Sequence, residues 1–570
     1  MQNKEIAYIN FKIPLKYQKT YHIENNLVND LELFETQNSS NKPVVNYLFN
    51  PTNELGKKSL NQWDCYTTDT NFLTESQKLY NNINKLKENH KIINDMIKTW
   101  KEVKNIQNFD ERFQYIEWDR LAFLNTWPIV MYVLSFLNIT APLMQLIAPI
   151  MAFILPFFLL KAAGLPITMS KYKEILTKVI STNAIYRLFT DFKEADMKQK
   201  LTMIFTVGLY FYNLYQNLLS CYRFYINSFY IIEKIKIIKD YLKYTMNQID
   251  YFKSNSNKYP SYSQFNSDIE NHKIQLETLY NNLNFLPEKF YDSNTIPSYG
   301  YIMKYFYDIY NSDDINNLIE YSFSFNGYIN NIIGIRENIN NSGINQTTYT
   351  NKNTAKIKQV YHPTLSNECI KNNVDFNKSI ILTGPNAAGK TTLLKSTIIN
   401  ILFSQQVGYG FYKSCELNPF DYFHCYINIP DSVSRDSLFQ AEVRRCKDIL
   451  NVIEIHPNLR HFCVFDELYS GTNPYEAISS AYSYLNHITK NKNIKFVLTT
   501  HYIKLCHLFK KHKLIKNYKM KVKMTDEDKP IYSYKINKGI SKIKGGISIL
   551  RDLKYPNDII LEAKNILNSL

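Results

Sequence analysis

The stretch that most constrains the fold is the apolar run Ser379-Ile-Ile-Leu-Thr383, followed by Gly384-Pro-Asn-Ala-Ala-Gly389-Lys390-Thr391-Thr392 and then LLKSTIINILF. Strand, G-x-x-x-x-G-K-[ST] loop and helix follow in that order. Glycine is needed where backbone amides approach phosphate oxygens. Lys390 would reach the β- and γ-phosphates, and Thr391 would present its hydroxyl to Mg2+. The helix adds partial positive charge at its N-terminus. The pattern predicts a nucleotide site over Gly384, Pro385, Asn386, Ala387, Ala388, Gly389, Lys390, Thr391 and Thr392, in an α/β domain. Glycine usage agrees. The chain holds only 15 among 570 residues, against about 7 % in ordinary proteins, so it keeps glycine where the backbone requires it.

A second motif lies downstream. His461-Phe-Cys-Val-Phe is a buried strand in pattern, and it ends on Asp466-Glu467. Asp466 would hold Mg2+ through water, and Glu467 would polarise the attacking water as general base. A third apolar strand, Lys495–Thr500, ends at His501, where an imidazole can contact the γ-phosphate. The cofactors implied are ATP and Mg2+, with Thr391 and Asp466 as the metal residues and Glu467 and His501 as the catalytic ones.

Together, GPNAAGKTT, FDELYSGTNPYEA and TTHY resemble the ATPase domain of the MutS family of mismatch-repair proteins, which belongs to the ABC-type ATPases. The resemblance reaches upstream to His362-Pro363. Downstream it takes in GISKIKGGISILRDLKYPNDIILEAKNIL, so it covers about residues 360 to 570. Thr391 and Asn473 stand where the family usually has Ser. It implies a P-loop ATPase that closes as a dimer around two nucleotides. The chain has no LSGGQ signature, but aligning Phe439 and Glu442 with the family's S-T-F-x-x-E puts Ser437 on the serine that reaches the partner's nucleotide. Read from the residues alone, Ser437 is also an ordinary helix cap. Mismatch-sensing members carry a Phe-x-Glu wedge in an N-terminal domain. The first 70 residues have no F-x-E, so mismatch reading is not expected.

The rest of the chain reads as helical. The expected organisation is a polar, poorly packed lead-in over 1–70, an α-helical core and lever region over 71–339, a polar linker over 340–357, and the MutS-like ATPase domain over 358–570. Apolar residues from Leu79 to Trp100 recur at helical spacing and predict one amphipathic helix over Phe72–Trp100. Leu121–Leu160 contains no charged residue, twice the length one membrane span needs. A break at Asn138–Pro142 would make it two short membrane helices or a re-entrant hairpin, and the competing reading buries it in the helical core. Leu201–Tyr222 is also uncharged, but its Tyr, Asn and Gln predict a buried helix.

The net charge of +16 suits a polyanionic partner, nucleic acid or an anionic membrane face. Eight cysteines without a CxxC pair, and a start without an apolar signal region, predict a reducing, cytosol-like compartment. Two functions follow. One is a dimeric DNA-binding clamp in repair or recombination, of low sequence specificity. The other is a membrane-associated ATPase of MutS descent, held through 121–160 with its ATPase domain in the cytosol, that does not read DNA. A transporter half would need about six spans and an LSGGQ, and the chain offers neither.

Overall fold

In the computed structural model of the protein, Ser379–Thr383 is a wholly buried strand and Lys390–Gln406 a helix, enclosed on every side from Ser396 to Gln406. A helix apolar around its circumference belongs inside a core. The structure describes residues 11–569, apart from residue 39, 84–85, 165, 182–191, 193–194, 288–294, 366–368, 428–437, 526–529, 542, 544–546, 548–549 and 552. The chain divides into two compact units. One comprises Met1–Ala7, Asn89–Asn247 and His272–Glu320; the other comprises Tyr8–Glu88, Gln248–Asn271 and Tyr321–Leu570.

The first unit is helical. Its core gathers Ile93, Met96 and Trp100 of the His90–Lys104 helix with Ile231, Ile235 and Ile238 of the Met197–Ser256 helix and Phe306 of the Thr295–Asn311 helix. The expected helix over 72–100 is two: Thr70–Asn82 and His90–Lys104. Each begins at its own cap, the Asp69 carboxylate accepting from the amides of Asn71 and Phe72, and the Asn89 side chain from the amide of Ile92. The apolar positions are nevertheless buried as their spacing required.

The charge-free segment departs further from expectation. Pro128–Ala162 is one continuous helix, without the break at Asn138–Pro142 that a hairpin needs. Pro142, Pro149 and Pro156 all lie inside it, and each removes a bond to the carbonyl four residues back. A neighbouring hydroxyl compensates for one of them. Tyr210 donates to the Gln145 carbonyl, freed by Pro149, at 3.0 Å. Most of its side chains are not buried in a core either: Met131 and Leu160 are, but Ile129, Leu143, Met144, Ile150 and Phe158 are all exposed. Leu201–Tyr222, expected to be a buried helix, is the start of Met197–Ser256 and exposes Leu201, Ile204, Phe205 and Phe211. Between the two helices the polar groups meet: Asn217 donates to the Gln145 side chain at 2.5 Å. The apolar groups point outward.

In the second unit, residues 11–70 are no loose lead-in. Strands β1 (Thr20–His22) and β2 (Cys65–Thr67) pair antiparallel, and Leu27, Leu48, Phe49, Leu55 and Trp63 are buried. Trp63 Nε1 donates to the Asn331 side chain at 3.1 Å, and Gln406 donates to the Trp63 carbonyl at 2.6 Å. The expected linker likewise holds β3 (Asn345–Tyr349) and the start of β4 (Ala355–Val360), because both find a partner in the strand Ser414–Leu417.

The remaining strands are β5 (Asn372–Asp375), β6 (Ser379–Thr383), β7 (Tyr409–Gly410), β8 (Ser414–Leu417), β9 (Tyr422–Tyr426), β10 (His461–Asp466), β11 (Ile494–Thr500), β12 (Ile515–Met524) and β13 (Pro530–Lys538). They form two sheets among the described residues, ordered β13-β12-β6-β11-β10-β9 and β5-β4-β8-β3-β7. In the first, β6 pairs in parallel with β11 and β12, and β10 with β11 and β9, so the ends of β6, β10 and β11 lie at one edge. In sheets of this kind ligands bind beyond the carboxyl ends of the strands.

Candidate nucleotide site

The loop after β6 enters the helix at Gly389, which has φ +86°, a left-handed conformation that side chains resist. A Cβ there would also stand 3.1 Å from the Tyr534 ring. Ala387 takes the same backbone region at φ +59°. The loop and the start of the helix line a cavity of about 620 Å³, walled on the far side by Tyr361, Leu365 and Ile370. His362 lines it too, and burial, with Lys395 nearby, holds its pKa down at about 4, so the ring is neutral at neutral pH.

Lys390, Thr391, Asp466, Glu467 and His501 come together here from three elements. The buried Lys390 ammonium donates to the carbonyls of Gly384 (3.1 Å) and Pro385 (3.3 Å), and to His501 Nε2 at 2.9 Å. Burial pulls this lysine below its ordinary pKa, against the charges of Glu467 and Asp466. Thr391 Oγ1 donates to Asp466 Oδ2 at 2.9 Å, and Thr499 donates to the other carboxylate oxygen. A hydroxyl and a carboxylate side by side suit a hard cation that keeps waters and takes phosphate oxygens as its other ligands. Thr391 and Asp466 are the residues that would hold Mg2+.

Glu467 turns out of β10 at φ +54°, while its amide still donates to the Thr499 carbonyl at 3.0 Å. The turn sends successive carboxylates in different directions. Asp466 meets the helix, and Glu467 Oε1 lies 3.1 Å from His501 Nε2. The bond to His501 holds the Glu467 carboxyl below its usual pKa despite partial burial. One nitrogen thus faces both Lys390 and Glu467. It can accept from the ammonium or donate to the carboxylate, not both at once. A ligand that draws Lys390 away would release Nε2 to Glu467.

Sequence reasoning missed some of the supports. Thr499 had no motif beyond the Thr-Thr before His501, and Asn372 and Tyr534 had none. Glu442 served only to align a segment, yet it is buried and accepts from Ser470 N (3.0 Å), Ser470 Oγ (2.9 Å) and Gly471 N (3.1 Å), fixing the turn beyond Glu467. Gly471 is required there, since a Cβ would meet the Phe439 amide nitrogen at 2.8 Å. Asn473, in place of the usual Ser, caps the Pro474–Ile488 helix by accepting from the amides of Tyr475 and Glu476. Ser437, the expected cross-dimer residue, lies outside the described residues.

Residues 380–570 match the family described as MutS domain V. Over these residues the chain is similar to the MutS family. Among curated relatives, the DNA mismatch repair protein MutS of Phocaeicola vulgatus is 31 % identical over 227 residues, which cover 38 % of this chain and 26 % of that protein. The proteins of the same name from Bacteroides fragilis and Clostridium tetani are 32 % and 30 % identical, over 38 % and 34 % of the chain and 26 % and 22 % of their own lengths. The chain thus matches about a quarter of each of these MutS proteins. The family match over 380–570 takes in the loop, both carboxylates and His501.

Proposed function

We propose that this chain binds ATP with Mg2+ at the loop over 384–392, hydrolyses it, and acts as a dimeric, DNA-binding MutS-type clamp in repair or recombination. The observation that carries the reading is the convergence of Lys390, Thr391–Asp466 and Glu467–His501 on one cavity mouth. In this reading the ammonium of Lys390 leaves the Gly384 and Pro385 carbonyls for the β- and γ-phosphates. His501, in the tautomer that carries its ring proton on Nε2, then donates to Glu467, which takes the proton of the attacking water. Mg2+ held by Thr391 and Asp466 would supply charge neutralisation at the phosphates. Ser437 of each protomer would complete the opposite site, so closure on ATP and dimerisation are one event. The charge of +16 supports a nucleic-acid partner, and the relatives' name supports repair. The test is ATP turnover by the full chain alone and with homoduplex, mismatched and branched DNA. Turnover that any of these DNAs raises, and that Lys390→Ala abolishes, is expected. No turnover with Mg2+ removes the enzymatic reading, and no DNA binding removes the clamp.

A second reading rests on the exposed apolar helices. Pro128–Ile147 is long and apolar enough to cross a membrane by length and composition, and little of it is buried. Exposed apolar surface on this scale marks a membrane or protein contact. In membranes, helix-interior prolines are tolerated where neighbouring groups satisfy the freed carbonyls, as Tyr210 does here. The chain would then be a membrane-held ATPase. Carbonate extraction decides: retention in the pellet supports it, and release of a protein that is monodisperse without detergent ends it.

A further inference from the structure

Outside the nucleotide cavity, the second unit has a groove of about 660 Å³ where the edge strand β5 of one sheet runs beside the edge strand β13 of the other. Asn372 bridges the two edges. Its Nδ2 donates to the Tyr534 carbonyl at 2.9 Å and its Oδ1 accepts from the Ile536 amide at 3.0 Å. Five lysines line the groove: Lys356 and Lys358 of β4, Lys371 before β5, and Lys535 and Lys538 of β13. Lys356 and Lys358 are two residues apart on a strand and both exposed, so they share one face. None of the five is in an ion pair among the described residues. Lys371 lies over the Tyr361 ring at 4.9 Å, and Lys535 reaches the Lys371 carbonyl. The one carboxylate in the lining, Asp375, is engaged by the amide and side chain of Asn377. Five ammonium groups against the carboxylate of Asp375, with Glu416 of β8 across from Lys356, leave the groove with a net positive charge that suits a ligand with several negative charges.

We propose that this groove binds the phosphate backbone of nucleic acid, independently of base sequence, and reports its occupancy to the ATP site; this rests on the DNA reading above. The link is short. Asn372 lines both the groove and the nucleotide cavity, and Tyr534, next to Lys535, stands against Gly389 of the phosphate loop. A backbone drawn onto Lys535 and Lys538 acts on the strand that carries Tyr534. All of these residues lie in the second unit, so the DNA contact belongs to the ATPase domain itself.

The test uses the full chain and two triple variants, Lys356→Glu/Lys358→Glu/Lys535→Glu and the milder Lys356→Gln/Lys358→Gln/Lys535→Gln. Binding of a short fluorescein-labelled duplex of random sequence is followed by anisotropy across a salt series, and ATP turnover is measured with and without that duplex. Removing three phosphate-neutralising ammonium groups would lower the slope of log affinity against log salt by about 3, and weaken binding at least about tenfold at moderate salt. The basal ATPase rate should be unchanged and its stimulation by DNA abolished. Wild-type binding that both variants retain would overturn the groove and leave the DNA reading standing. A wild-type chain that binds no duplex would overturn both. Lysine-dependent binding to phosphatidylserine vesicles without binding to DNA would assign the groove to a membrane and overturn the proposal.

Discussion

Replacing Gln405 by Leu tests how strongly directed bonds hold the core of the second unit. Gln405 is fully buried near the end of the helix that begins at Lys390. Its Nε2 donates to the carbonyls of Thr67 (3.2 Å) and Phe420 (2.8 Å), and its Oε1 accepts from the Phe420 amide at 2.9 Å. Leucine has nearly the same volume, so packing changes little, but the Phe420 N–H and C=O lose this partner inside the core. Each buried backbone group left without a partner costs about 1–3 kcal/mol, so the loss should be about 4 kcal/mol. That is a large part of the 5–15 kcal/mol typical of a folded domain. The measurement is the urea unfolding midpoint by circular dichroism, with exposed Gln107→Leu as control, expected within about 0.5 kcal/mol of wild type. Lys390 lies about 22 Å away along the helix, so the KM for ATP in the folded variant should be unchanged. A loss below about 1 kcal/mol would refute the claim that Gln405 holds the Phe420 backbone groups in this core by directed bonds.

Three further outcomes are expected. Glu467→Gln should bind ATP but turn it over at least about a hundredfold more slowly, the usual contribution of a general base; single-turnover kinetics giving a normal rate would remove that role. Gly389→Ala, forced to φ +86° against the Tyr534 ring, should weaken binding of a fluorescent ATP analogue about tenfold, from a left-handed penalty of about 1–2 kcal/mol, and adding Tyr534→Ala should restore only the steric share. His424 lies buried with Nε2 3.1 Å from His461 Nδ1, and burial lowers His461 and takes His424 down to about 3. His424 stays neutral when folded but protonates near 6.5 when unfolded, so its share of stability is intact above about pH 6.5 and falls as pH drops toward 3; it should cost about 2 kcal/mol at pH 5, and urea midpoints at pH 8 and pH 5 should draw together in His424→Gln.

The loop over 384–389 and its neighbouring strands were legible in the sequence because their determinants are local. Apolar runs end at Thr383, Asp466 and Thr500, and scarce glycines stand at Gly384, Gly389 and Gly471. Residues 11–70 were not, because the surface that orders them comes from β9 and the Lys390–Gln406 helix, hundreds of residues later: Tyr66 packs on Phe423 with ring centroids 4.8 Å apart. Strands β3 and β4 were hidden for the same reason, since an Asn- and Thr-rich stretch declares itself a strand only through β8. Composition rightly marked Pro128–Ala162 as unusual. It could not show that Tyr210 would restore a bond that proline removes, and so the helix was expected to break.

The bond from Gln406 to Trp63 joins residues 343 positions apart. On a ribosome working at about 5–20 residues per second, the segment bearing Trp63 waits roughly 20–70 s for its partner helix to be made. During that interval Phe49, Trp63, Tyr66 and Phe72 are without the surfaces that cover them in the finished unit. Synthesis of this protein therefore includes a period of exposed aromatic surface set by chain order. A holding chaperone would have its longest opportunity there, and slowing translation between residues 88 and 390 would lengthen it.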